Sequence, residues 1–154
     1  MSVTVGMRGR AENVVTPQNT ADAVGSGLVP VFATPFMAAL MENAAVNAIQ
    51  SALEEGQGTV GTRLDLSHDS ATPIGMKVWA EAEVTAVDGK KITLDIRAFD
   101  EAGTIGWGTH ERFIIQVDRF LARAEAKKKG KGSVSDEEAH GIGSIGSKRE
   151  ETEI

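Results

Sequence analysis

The sequence predicts an α+β domain in which an antiparallel sheet wraps around one long central helix. Two observations carry this. Residues 31–46 form an almost wholly apolar run headed by a helix-start signal, and residues 60–117 hold four alternating segments separated by hairpin signals. A single apolar helix and one half-apolar sheet bury their surfaces only against each other, so the sheet must twist and close over the helix.

The helix begins at Thr34-Pro35, with Thr34 offering an N-cap hydroxyl and Pro35 at the first helical position, where its missing N–H costs nothing. From there to Leu53 the polar interruptions are Glu42, Asn43, Asn47, Gln50 and Ser51, and Gly56 and Gly58 close the helix. A helix apolar on most sides is expected to lie inside the protein. Glu42 is the anomaly, because helical spacing puts it on a stripe with Ala38, Ala45, Val46, Ile49 and Leu53. Ahead of the helix, Ser2–Val5 is a candidate first strand, and residues 11–27, with Pro17 and Gly25-Ser26-Gly27, read as a loop, either a plain connector or a lid.

After the helix the pattern changes to a period of two. Val60, Thr62, Leu64, Leu66 and His68 form one face of a strand, with His68 its last member. Thr72-Pro-Ile-Gly75 is a turn, and Met76, Val78, Ala80, Ala82, Val84 and Ala86 define the next apolar face. Asp88-Gly89 is a hairpin signal, Ile92, Leu94, Ile96 and Ala98 repeat the alternation, and Asp100 to Gly103 make a second hairpin connection. In the last strand, about 104–117, the more apolar set is Trp107, Thr109, Glu111, Phe113, Ile115 and Val117. That phasing puts His110 and Arg112 on the opposite face unless a bulge near Gly106 or Gly108, or a face buried against a partner subunit, changes the register, and His110 is read as structural or surface. Residues 1–122 form the domain. Arg119–Lys129 allow a basic helical turn or two, and residues 123–154 form a charged Gly/Ser-rich tail, with His140 in it, expected to be disordered.

An open, curled sheet leaves edge strands, which second subunits commonly cover, so a homodimer is expected. This order of elements is that of the hotdog fold.

Composition narrows the function. A chain of 154 residues, 41% apolar and 25% charged, suits one soluble domain. A net charge of −6 argues against a general nucleic-acid or anionic-membrane binder. The absence of cysteine removes disulfides, thiolate metal sites and cysteine nucleophiles. No unbroken apolar run approaches 18 residues and no signal peptide is visible, so a cytoplasmic protein without a membrane partner is expected. Three widely spaced histidines and no phosphate loop imply no metal and no cofactor.

Three side chains are candidates for chemistry. Thr34 at the helix start, Glu42 two turns along and His68 at a strand end supply a hydroxyl, a carboxylate and an imidazole. Each has a structural alternative: Thr34 as a cap, Glu42 as a carboxylate held by backbone or arginine, His68 as a surface histidine.

The motifs Val31-Phe-Ala-Thr-Pro35, Leu40-Met-Glu42, Val60-Gly-Thr62, Ser67-His68, Thr72-Pro-Ile-Gly-Met76 and Gly108-Thr-His-Glu-Arg-Phe113 together resemble the fluoroacetyl-CoA thioesterase family of hotdog enzymes, over residues 28–120. The resemblance implies a homodimeric acyl-CoA thioester hydrolase. It places the catalytic threonine, glutamate and histidine on Thr34, Glu42 and His68, the glycine facing the thioester carbonyl on Gly61, and the pocket arginine on Arg112. His68 is then the natural base. Glu42 either orients His68 or itself attacks or activates water, Thr34 is the nucleophile or positions water, and the Gly61 N–H is an oxyanion donor. The loop Ala23–Leu28 has no aromatic residue, so the expected substrate is a short- or medium-chain acyl-CoA rather than fluoroacetyl-CoA in particular. Two other readings compete. A hotdog hydratase or dehydratase would carry His and Asp on the central helix, which are missing here, and a non-catalytic acyl-CoA-binding module would bind ligand after loss of His68.

Overall fold

The computed structural model describes residues 2–130. Strand β1 is Arg8–Val14, β2 Gln57–His68, β3 Lys77–Asp88, β4 Lys91–Asp100 and β5 Gly103–Gln116. The helices are α1, Ala21–Val24, α2, Thr34–Ile49, and α3, Val117–Gly130. The strands form one antiparallel sheet in the order β1-β3-β4-β5-β2, with α2 lying across its apolar face. The core is the contact between them. Met37, Leu40, Met41, Ala44, Ala45, Ala48 and Ile49 of α2 meet Val78, Ala80, Ala82 and Val84 of β3 and Ile92, Leu94, Ile96 and Ala98 of β4. The expected helix wrapped by a sheet is what forms.

The central helix is buried on one side only. Phe36, Ala39, Asn43 and Asn47 face outward, so the expectation of an enclosed helix holds for one face. It also ends sooner than expected, at Ile49, followed by a single 3-10 turn over Gln50–Ala52 and a left-handed Gly56.

The first strand lies downstream of Ser2–Val5. Its inward residues, Gly9 and Ala11, sit opposite Ala82 and Ala80, and both are too small to give an apolar signal. They are small because the helix is close: a Cβ on Gly9 would overlap the backbone of Ala44 and Ala48. Backbone cannot move aside as a side-chain tip can. Gly9→Ala should therefore cost about 3 kcal/mol or more of stability, read as a lowered thermal midpoint; an unchanged midpoint would place β1 further from α2. The supposed loop of residues 11–27 is also largely structured, containing the end of β1, a 3-10 turn at Pro17–Asn19 and α1.

Two irregularities reset which residues face α2. In β2 a bulge between Gly61 and Arg63 reverses the phase, so Thr59 and Gly61, not Val60 and Thr62, share the inner face with Leu64, Leu66 and His68. A second, between Val84 and Ala86, leaves Ala86 exposed rather than on the apolar face. In β5 the expected phasing is reversed outright. Gly106, Gly108, His110 and Arg112 pair with Ala98, Ile96, Leu94 and Ile92, and directly paired residues share a face, so all four point at α2. The two glycines make room for Met37 and Met41, whose sulfur atoms lie 3.0 and 3.2 Å from where Cβ atoms would sit. The apolar Trp107 is outside, half-exposed, with the Arg97 guanidinium 4.3 Å from its ring centre.

Helix α3 has no buried residues and runs past residue 122, where the sequence places the end of the domain. The tail expected from 123 onward, His140 included, falls from residue 131 outside the described residues. Among the described residues no helix is long and apolar enough to cross a membrane.

Candidate active site

The segment before α2 is tied down at both sides. Phe32 N–H donates to Thr72 C=O at 2.9 Å, Val31 bridges Pro73, and Ala33 N–H donates to Asn19 C=O at 3.0 Å. The Thr72 hydroxyl in turn donates to the buried Asp100 carboxylate at 2.8 Å, so the loop after β2 is fixed to the end of β4. These ties bring the start of α2 against the end of β2. The Ala33 carbonyl begins the helix by accepting the Phe36 and Met37 N–H groups, and Thr34 is the first helical residue. Thr34 is therefore not the N-cap: the cap is Ala33, and its neighbour's hydroxyl is left for another partner.

That partner is His68. Thr34 Oγ1 lies 2.8 Å from His68 Nδ1. The imidazole is braced edge-on by the buried Phe32 ring, with centroids 6.5 Å apart. Burial pushes the His68 pKa below the ordinary histidine range, against the opposing pull of the Ser70 backbone and the Asp69 carboxylate, so the ring is a neutral base at neutral pH. Nδ1 is within hydrogen-bond reach of the Thr34 hydroxyl, and Nε2 is buried with no hydrogen-bond partner.

A second cluster lies two turns along α2, a rise of about 12 Å. Glu42 Oε2 accepts from Arg112 Nη1 at 3.3 Å. The Arg112 side chain is buried and held on every side: Nε donates to Thr59 Oγ1 and Nη2 to Thr59 C=O, both at 3.0 Å, and Nη1 also donates to His110 Nε2 at 3.1 Å. His110, 1% exposed, donates through Nδ1 to the Arg63 carbonyl at 2.7 Å. Gly61 closes the cluster, since a Cβ there would overlap Glu42 Oε2 and come within 3.1 Å of His110 and 3.2 Å of Arg112. Among the described residues no cluster of metal-ligand type occurs.

Of the five residues read from the sequence, the fold thus joins Thr34 to His68, and Glu42 to Arg112 beside Gly61. Glu42 makes its hydrogen bond to Arg112, not to His68. A neutral imidazole on a hydroxyl can accept that hydroxyl's proton, and a carboxylate on a buried guanidinium beside an open backbone can act on water or a polar substrate group.

The profile of the fluoroacetyl-CoA-specific thioesterase family matches residues 15–118, most of the chain. The chain belongs to this family. It is 42% identical to the fluoroacetyl-CoA thioesterase of Streptantibioticus cattleyicolor over 97 residues, 63% of this chain and 70% of that one. A solved fluoroacetyl-CoA thioesterase structure superposes with a TM-score of 0.77 at 36% identity, covering 82% of this chain and 98% of its own. A Thermus thermophilus member of the thioesterase superfamily gives a TM-score of 0.79 at 29% identity, covering 86% and 98%. The hotdog fold and the class of thioester hydrolase follow.

The two residues that hold Arg112, His110 and Thr59, are not among the sequence's candidates. His110 was read as structural or surface because the odd positions of β5 carry its apolar residues. The signal lay in β4, whose clear inward set of Ile92, Leu94 and Ile96 dictates the face of whatever pairs with it. Thr59 lies on the far side of the bulge, where the period of two reverses.

Proposed function

We propose that this chain hydrolyses short- or medium-chain acyl-CoA thioesters to the free acid and CoA, acting as a homodimer through Thr34, Glu42 and His68. The observation that carries the reading is the 2.8 Å contact between Thr34 and a neutral, half-buried His68. Water or the Thr34 hydroxyl adds to the thioester carbonyl as His68 takes its proton. The Gly61 N–H meets the developing oxyanion, and the C–S bond breaks as the imidazolium returns the proton to the leaving sulfur. Where Thr34 is the nucleophile, a water deprotonated by His68 then cleaves the acyl-threonine ester to the free acid, and the proton goes back to the Thr34 oxygen. Arg112 holds the Glu42 carboxylate in place through the 3.3 Å contact, ready to activate water or attack. The catalytic unit is residues 1–122.

Dimerisation is supported by β2, a 12-residue edge strand whose outer side has no partner strand among the described residues. If two copies pair antiparallel along it, the two-fold axis exchanges the strand ends. The His68 end of one copy then faces the Gly61 end of the other, and each site draws Thr34 and His68 from one chain and Glu42, Gly61 and Arg112 from the next. Exposed Phe36 and Ile74, near Thr34 in the chain and across the Thr72 tie, offer an apolar surface to the acyl group.

The test is thiol release from acyl-CoAs of increasing chain length, fluoroacetyl-CoA included, with His68→Ala and Glu42→Ala in parallel. Turnover confined to shorter chains and lost in both variants is expected. Mixing and refolding the two inactive variants should restore about a quarter of wild-type activity, since half the dimers carry one intact site. No restoration would mean that each chain builds its own site. CoA binding without turnover in the wild type would make the protein a binding module instead.

A further inference from the structure

His110 stands outside every role assigned so far. It makes no contact with Thr34 or His68, yet it is among the most buried polar side chains of the protein. Its hydrogen bonds define its state. Nδ1 faces a backbone carbonyl and must donate, so in the neutral ring Nε2 has only a lone pair, and that lone pair points at Arg112 Nη1, 3.1 Å away. The same Nη1 is the atom that holds Glu42. Glu42 Oε2 lies 3.9 Å from His110 Nε2, just beyond hydrogen-bond reach.

We propose that His110 is a positioning residue that aims Arg112 at Glu42 only while it is neutral, and that its protonation releases Arg112. A proton on Nε2 turns the acceptor into a donor. It sets a cation against the guanidinium and gives Glu42 a second cationic neighbour, so Glu42 and Arg112 part. The charged groups around the ring are Arg112 and Glu111 on β5 and Glu42 on α2. From β4 the facing residue is the apolar Leu94, and β2 contributes the Arg63 carbonyl. Glu111 is on the outer side, paired with Lys91 at 3.2 Å, and Arg112 opposes protonation directly. Burial and Arg112 hold His110 below the ordinary histidine range, so it is neutral in the working state and takes up its proton only below that range.

This inference rests on the thioesterase reading of the site, and its tests separate the two. His110→Gln places an amide oxygen where Nε2 accepts, and cannot be protonated. His110→Asn keeps the donor to Arg63 but loses the acceptor to Arg112. His110→Asn should lower kcat by about 10- to 100-fold with KM little changed, while His110→Gln retains most of kcat. The wild-type acid limb of kcat should approach a slope of two, from His68 and His110 together, and fall to one in His110→Gln. In an Arg112→Ala background, His110→Asn should have no further effect. Equal kcat losses in both variants, an unchanged slope, or additive effects with Arg112→Ala would each overturn the proposal and leave His110 a packing residue. If His110→Asn does not fold, the slope in His110→Gln decides. Nitrogen-15 NMR of the histidines reads the Nδ1–H tautomer and its titration without turnover, so it tests His110 even if no thioester is cleaved. An Nε2–H tautomer would sink the idea.

Discussion

Replacing His68 with alanine should lower acyl-CoA hydrolysis by about 10²- to 10⁴-fold and leave the fold in place. His68 sits at the end of β2, outside the tight helix–sheet contact, and its ring touches Thr34 and Phe32 rather than the aliphatic core. Its removal takes away the base proposed to accept the proton of the attacking oxygen and give it to the leaving sulfur. The pH profile carries the same information. Burial lowers the His68 pKa, so the base form persists below the ordinary value of about 6.5. Activity should be flat at neutral pH and fall only as the pH drops past that lowered pKa. A limb centred above pH 7 would assign the base to another group. Circular dichroism and thermal melting check the fold, and thiol release at saturating substrate reads kcat.

Gly61→Ala should cost about 10²-fold or more in kcat with little loss of stability, the opposite balance to Gly9→Ala. Both glycines face inward and both leave no room for a methyl group. At Gly9 the obstacle is helix backbone, which cannot yield. At Gly61 the overlap is with the tip of Glu42, whose side chain is 45% exposed and can swing away, while the His110 and Arg112 atoms at 3.1 and 3.2 Å need give by only a few tenths of an ångström. The fold survives because Glu42 moves, and activity falls because Glu42 moves. The new methyl would also stand beside the N–H proposed to meet the oxyanion. If Gly61→Ala kept wild-type kcat, neither the position of Glu42 nor the Gly61 amide could matter to the rate. A large fall in melting temperature with normal kcat would mark Gly61 as a packing position alone.

Much of this was legible in the chain. The apolar run after Thr34, the alternation from Leu64 to His68 and from Ile92 to Ala98, and the turn signals at Gly89 and Gly103 report burial and backbone conformation, which are local properties of residue type. They sufficed for the helix, four strands, their order and the antiparallel sheet. The family motifs added Thr34, Glu42, His68, Gly61 and Arg112, because residue identity at fixed spacing survives in the sequence even where its purpose does not show.

What the sequence concealed has a common cause. β1 was missed because its inward residues are Gly9 and Ala11, small for the sake of the approaching helix. The face of Arg112 is left open by the sequence because the inward row of β5 is two glycines and two polar residues, while Trp107 and Phe113 point away. Hydrophobic alternation finds a strand's buried face only when that face is filled with apolar side chains, and at a site it is not. By itself, then, the sequence determined the elements, their order and, through its family motifs, the residues proposed to carry the chemistry. Only the tertiary structure decided their phase and partners: that Thr34 serves His68 and not its own helix, and that Glu42 belongs to Arg112 and His110. Those choices depend on strand register and on one bulge in β2, and register is set by contacts between residues far apart in the chain.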